Sequence, residues 1–197
     1  MITHSIEAYK PELKKLWKLC FNDSDRFIQF YFDNIYQNQN SLVFLNENHD
    51  FPVAFLQIIP YQIKIGQNLY NAGYISGAMT HPEYRHKGYM HKLLTASFEE
   101  MRKKGYDYTF LIPQKKELIA MYAKYGFRLS EPNPQPPENK VLKTLKQWEQ
   151  IQQDFFDENG IWLETEPIFP NEQKGMVKQL NPSAKDVTSL YLGMMLD

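Results

Sequence analysis

The sequence predicts a single α/β (α+β) domain in which helices flank a sheet, and three observations carry that expectation. Stretches with apolar residues at helical spacing alternate with extended runs rich in β-branched and aromatic residues. The 197 residues suffice for one domain with a sizeable core, and 13 Phe, 13 Tyr and 3 Trp favour a packed one. Neither an internal repeat nor a low-complexity tract divides the chain, and the residues after the proline-rich stretch Pro132 to Asn139 are too few to bury a core of their own. The expected organisation is one domain over residues 1–197 with a C-terminal elaboration from about residue 132.

The elements follow in order. Leu13, Leu16, Trp17 and Cys20 recur at helical spacing between about Pro11 and Phe21. "NDSD" then supplies N-cap candidates for a second helix bearing Phe27, Ile28, Tyr31 and Ile35. "SLVFLNE" and "PVAFLQIIPYQIKIG" are strands, "GQN" (Gly66 to Asn68) is a turn, and "LYNAGYISGAMT" continues as strand. Gly73 and Gly77 within it point to a bulge or a close backbone approach. A helix from about Gly88 to Lys104 follows, with Met90, Leu93, Leu94, Phe98 and Met101 on one face and Gly105 at its end. "DYTFLIP" is a nearly continuous apolar strand, suited to the middle of a sheet. "KELIAMYAKYGF" is a short helix stopping at Gly126. A helix from about Leu142 to Phe156 and closing strands in "GIWLETEPIF", "GMVKQLN" and "LYLGMMLD" complete the chain.

Composition narrows the partners. A net charge of -1 offers no broad basic face, so neither nucleic acid nor anionic lipid is expected. A single cysteine, Cys20, cannot form an internal disulfide and is expected in the core; a reducing cytoplasm is the simplest location. The N-terminus lacks a signal-peptide pattern, and no stretch approaches the roughly 20 apolar residues of a membrane span.

The segment "HPEYRHKGYMHKLL", His81 to Leu94, concentrates positive charge directly before a helix. A helix start presents unpaired backbone N–H groups and the positive end of the macrodipole, and it binds phosphate readily. Arg85, His86 and Lys87 add charge there, and Gly88 lets a ligand approach the backbone closely. Neither G-x-x-x-x-G-K-[ST] nor G-x-G-x-x-G is present, which removes the main support for a nucleotide-hydrolysing or dinucleotide-binding site. His81, His86 and His91 stand five residues apart, a spacing that turns successive side chains away from one another on a helix, so no metal is expected.

Arg85-His86-Lys87-Gly88-Tyr89-Met90 closely resembles the [QR]-x-x-G-x-[GA] acetyl-CoA segment of the GCN5-related N-acetyltransferases, the GNAT superfamily. "IAMYAKYGFRL", from Ile119, resembles the A-x-x-x-Y-x-x-x-G-F end of that family's motif B, and one strand separates the two. Met90 departs from the small residue usual at its position; enhanced-intracellular-survival-type acetyltransferases also place a bulky apolar residue there. Its side chain is then expected to point into the core. The matched core runs from about Tyr74 to Leu129.

The resemblance implies a GNAT fold: a central mixed, mostly antiparallel twisted sheet splayed into a V and flanked by helices. It also implies acetyl-CoA as cosubstrate, bound by Met79, Thr80, Arg85, His86, Lys87, Gly88, Tyr89 and Met90, with backbone groups near Met79 and Thr80 pairing the pantetheine amides. Tyr122 matches the tyrosine that protonates the departing CoA sulfur, although it could instead be a core aromatic. The implied function is acetyl transfer to a primary amine of a small-molecule or peptide acceptor, through a ternary complex. The alternative is an inactive GNAT-fold module that binds acyl-CoA, to which Met90, Lys115 in place of the usual motif-B asparagine, and the lack of an acidic residue on "YISGAMT" give weight. The base stays open between water, His81 and the Asp197 carboxylate. Trp148, Trp162, Glu164, Glu166 and Tyr191 are candidates for the acceptor pocket.

Overall fold

The computed structural model describes residues 1–130, 139–142 and 175–185. Strand β1 (Ile2–His4) leads through a 3-10 turn to helix α1 (Lys10–Phe21), which carries Pro11 in its first turn and ends where Asn22 goes left-handed at φ 59°. Helix α2 (Asp25–Asn34) is capped by Ser24, whose hydroxyl accepts from the Phe27 N–H at 3.1 Å. Strands β2 (Ser41–Leu45), β3 (Pro52–Ile65) and β4 (Asn68–Thr80) follow, then helix α3 (Tyr89–Lys103), strand β5 (Tyr108–Leu111) and helix α4 (Lys116–Ala123). Strands β6 (Arg128–Leu129), β7 (Asn139–Leu142) and β8 (Met176–Gln179) complete the described elements.

The strands hydrogen-bond in the order β1-β2-β3-β4-β5-β8-β6, with β7 added on β3. β1/β2, β2/β3, β3/β7, β5/β8 and β6/β8 are antiparallel, whereas β4/β5 is parallel. The sheet is therefore mixed and mostly antiparallel, as expected. The parallel register runs from Ala72↔Tyr108 to Tyr74↔Phe110, and β4 continues past that last pair to Thr80.

Two compact units divide the chain, one of residues 1–59 and 75–100, the other of 60–74 and 101–197. In the first, Leu13, Leu16 and Trp17 of α1 and Ile28, Tyr31 and Phe32 of α2 are buried, and Trp17 packs its ring 4.3 Å from Tyr31. Val53 to Ile59 of β3 form one continuous buried run. Gly77 interrupts the extended conformation of β4 at φ 61°, and a Cβ there would lie 2.7 Å from the Trp17 ring. Position 77 thus admits only glycine, on conformation and on space alike.

In the second unit β3 switches to alternation, with Tyr61, Ile63 and Ile65 buried between less buried neighbours. All four residues of β5 are buried, as their apolar run predicts. The Phe110 ring meets Tyr61 at 5.5 Å and Tyr74 at 5.2 Å, and Thr109 Oγ1 donates to the Gly73 carbonyl at 2.9 Å. The Tyr108 hydroxyl donates to the Lys185 carbonyl.

Three details differ from the sequence expectation. Periodicity gives no sign of β1, because three residues are too short a run; its pairing with β2 creates the strand. Asn139–Leu142 is a strand rather than the end of a loop and the start of a helix, since Gln62–Ile65 of β3 offers it a partner. Cys20 is half-buried at the edge of the core, not inside it. "GMVKQLN" is a strand as expected, while the proline-rich loop, the rest of the helix from Leu142 to Phe156 and the other two closing strands lie outside the described residues.

Candidate active site

In the first unit the chain leaves β4 through a short, highly structured turn. The His81 N–H donates to the Val53 carbonyl at 2.8 Å, the last tie to the sheet. Pro82 opens the 3-10 turn Pro82–Tyr84, and His81 Nδ1 caps it by accepting from the Glu83 N–H at 3.3 Å. In the neutral ring the proton must then sit on Nε2. Arg85 returns to extended backbone, and His86 and Gly88 adopt left-handed φ of 62° and 77° on either side of Lys87. Successive backbone N–H groups that line such a turn can hold an anion. Tyr89 then begins α3, whose first N–H groups have no intrahelical partner.

Arg85, His86, Lys87 and Gly88 are all exposed, and among the described residues a Cβ on Gly88 would meet nothing within 4 Å beyond its own chain neighbours. Glycine is required here for its φ, and the space before it stays open. The side chains around it are tied back. Arg85 Nε donates to the Thr80 carbonyl at 3.2 Å, and its Nη2 lies 4.0 Å from Cys20 Sγ. Cys20 Sγ also donates to the Thr80 carbonyl, at 3.5 Å. Burial pushes the Cys20 thiol above its ordinary pKa against the opposing pull of Arg85, so the sulfur stays protonated. Lys87 Nζ sits 4.8 Å over the Tyr84 ring. Tyr89 stacks on Phe44 of β2 at 4.2 Å and 14°, and Lys92 Nζ lies 5.6 Å from that Phe44 ring.

In the second unit, Tyr122 is buried near the end of α4, with its ring edge-on to Phe127 at 5.9 Å. The helix closes tightly. The Tyr122 carbonyl accepts from the N–H groups of Tyr125 (2.9 Å) and Phe127 (3.4 Å), and Gly126, at φ 83°, donates to the Ala123 carbonyl at 2.9 Å. Lys178 of β8 donates to the Tyr125 carbonyl at 2.6 Å. Burial, then the Arg102 charge, lower the pKa of Lys178; burial raises that of Tyr125.

Met79, Thr80 and Arg85 to Met90 thus lie on one continuous strand end, turn and helix start. Two of them differ in detail from expectation. The Thr80 carbonyl already accepts from Arg85 and Cys20, and Met90 is half-buried, whereas Leu93 and Leu94 are fully buried. His91 and Lys115 are exposed, and His81 serves as a cap. Asp197, Trp148, Trp162, Glu164, Glu166 and Tyr191 lie outside the described residues. Phe44, Lys178 and the Cys20–Arg85 contact carry no local sequence signal; each arises from chain segments distant in sequence. Among the described residues no group of three or more His, Cys, Asp or Glu is placed to hold a metal ion, and no helix is long and apolar enough to cross a membrane.

Residues 2–130 match the family described as the acetyltransferase (GNAT) domain, and the chain belongs to that family. No curated protein matches it in sequence. Among solved structures, a GCN5-related N-acetyltransferase from Anabaena variabilis is 22% identical, with a TM-score of 0.58 over 66% of this chain and 32% of its own. This chain therefore spans about a third of the length of that protein. The GNAT family N-acetyltransferase YhbS from Escherichia coli, solved in complex with CoA, aligns over 98% of this chain and 88% of its own, at 14% identity and a TM-score of 0.62. Eis1 from Mycobacterium abscessus is 10% identical, with a TM-score of 0.55 over 70% of this chain and 36% of its own. At these identities the likeness is one of fold.

Proposed function

We propose that this chain transfers an acetyl group from acetyl-CoA directly to a primary amine of a small-molecule or peptide acceptor, both substrates being bound together. The observation that carries the proposal is the turn from Arg85 to Gly88, with left-handed residues flanking Lys87 and open space in front of Gly88. Its amides and the start of α3 would hold the diphosphate, with Lys87 and Arg85 adding charge. For Arg85 this means sharing its guanidinium with the Thr80 carbonyl. Thr80 and Met79 would meet the pantetheine amides, and His86, Tyr89 and Met90 would shape the approach.

Tyr122 is proposed to give its hydroxyl proton to the departing sulfur as the acceptor nitrogen bonds to the acetyl carbon and the thioester bond breaks. The nitrogen loses its proton to water, and solvent returns one to the Tyr122 oxygen, so protons and charge balance over the turnover. No covalent intermediate on the protein is required. The test is free-thiol release from acetyl-CoA with a panel of amines, alongside calorimetric binding. Tyr122→Phe is expected to lower kcat by about 10²-fold or more while acetyl-CoA binds normally. Unchanged turnover in that variant would remove the acid role.

One observation favours a second reading, a binding module without turnover: β4 carries no acidic side chain between Asn68 and Thr80. Heat on binding acetyl-CoA with no thiol release from any amine would select it.

A further inference from the structure

A lysine from β8, the last of the described strands, clamps the helix end that bears Tyr122. β8 reaches this position because it pairs β5 on one side, with Thr109 opposite Lys178, and β6 on the other, with Arg128 opposite Val177. Lys178 Nζ donates to the Tyr125 carbonyl at 2.6 Å, just past the last turn of α4. A positive charge at a helix C-terminus also opposes the negative end of the macrodipole. The neighbouring backbone is shaped to admit it. Gly126 takes φ 83°, and a Cβ there would stand only 2.9 Å from Nζ. The clamped carbonyl lies between the two groups that fix Tyr122 from its C-terminal side. These are the Tyr125 N–H on the Tyr122 carbonyl and the Phe127 N–H on that same carbonyl, with the Phe127 ring against the Tyr122 ring.

We propose that Lys178 is a positioning residue for the reaction, holding the α4 end so that the Tyr122 hydroxyl is presented in one orientation. The inference rests on the proposed role of Tyr122 as proton donor. It also gives Lys178 of β8 a part in the chemistry that neither of the two sequence motifs supplies.

The test is a double-mutant cycle on the full chain, with kcat, KM for acetyl-CoA and thermal unfolding read for each variant. Lys178→Met, which keeps the length and loses the donor, is expected to lower kcat about tenfold with KM for acetyl-CoA within twofold. Lys178→Arg, which keeps a donor, is expected to recover most of that loss. In a Tyr122→Phe background, Lys178→Met is expected to change kcat by less than twofold, because the group it positions is gone. An equal loss in both backgrounds overturns the positioning role and leaves the acid role of Tyr122 intact. A fully active Tyr122→Phe variant instead overturns the acid role, and with it the basis for the clamp. Should Lys178→Met fail to fold, Gly126→Ala, which pushes Nζ away, serves in the same cycle with the same two outcomes.

Discussion

Gly88 and Gly126 are two left-handed glycines, one before a helix and one after, at φ 77° and 83°. Their backbones do similar work and their surroundings are opposite. Among the described residues nothing beyond its chain neighbours lies within 4 Å of a Cβ on Gly88, whereas Gly126 faces the Lys178 ammonium at 2.9 Å from where its Cβ would be. The first turn leaves the space before its glycine open to something outside the protein. The second is sealed by the protein itself, with a lysine on a main-chain carbonyl. A glycine in a motif therefore signals conformation, and only the neighbours decide whether the space it leaves is for a ligand or for another strand.

The comparison is broken or sharpened by placing the same methyl group at both positions. Gly88→Ala should have the largest effect on ligand binding, because its Cβ would stand where phosphate oxygens must approach the amides. Calorimetry is expected to show Kd for CoA rising about a hundredfold, equivalent to roughly 2.7 kcal/mol. Its left-handed backbone should also cost about 1 kcal/mol of stability. An unchanged Kd would mean that the open space before Gly88 is not the diphosphate site.

Gly126→Ala comes next and should act on stability. It carries the same left-handed cost and also displaces Nζ from the Tyr125 carbonyl, for a total of about 2 kcal/mol. Denaturant unfolding would show this as a lower midpoint, with CoA affinity within about twofold of the parent protein. If the two variants lost equal stability and equal affinity, the contrast between an open and a sealed turn would be wrong.

What was legible in the sequence follows the same division. Apolar periodicity located α1, α2 and α3, because their buried positions repeat at a fixed step, and runs rich in β-branched and aromatic residues located the long strands β3 and β4. The run Tyr108 to Leu111 announced a fully buried strand because it is nearly continuously apolar. The turn before α3 was legible in its residue types, since proline, glycine and three basic side chains carry their chemistry locally. The left-handed φ of His86 was not, because a positive φ is uncommon at any single non-glycine position, even for histidine, which adopts it more often than most. Nor was the tether of Arg85 to the Thr80 carbonyl, which turns a residue expected to face only phosphate into one that also closes its own turn. The contacts of Lys178 with Tyr125 and of Cys20 with Arg85 were not legible because the partners lie 53 and 65 residues apart in the chain. Contacts of that range leave no periodic trace.

Phe44 is the same kind of residue, and it allows the smallest test. It lies on β2, far in sequence from the turn, yet its ring stacks on Tyr89, the first residue of α3, at 4.2 Å. Lys92 covers the same ring at 5.6 Å, so one aromatic side chain braces two positions of the helix start. A stacked pair contributes about 0.5–1.5 kcal/mol beyond the area it buries. Loss of the brace should loosen the amides that begin α3 without altering their chemistry. Phe44→Ala is therefore expected to raise Kd for CoA about three- to tenfold, with kcat at saturating acetyl-CoA unchanged. Phe44→Tyr, which keeps the ring, should bind as the parent does. Equal weakening by both substitutions would show that burial on β2, rather than the stack on Tyr89, is what the turn needs, and the open turn would then owe its shape to the backbone of Arg85 to Gly88 alone.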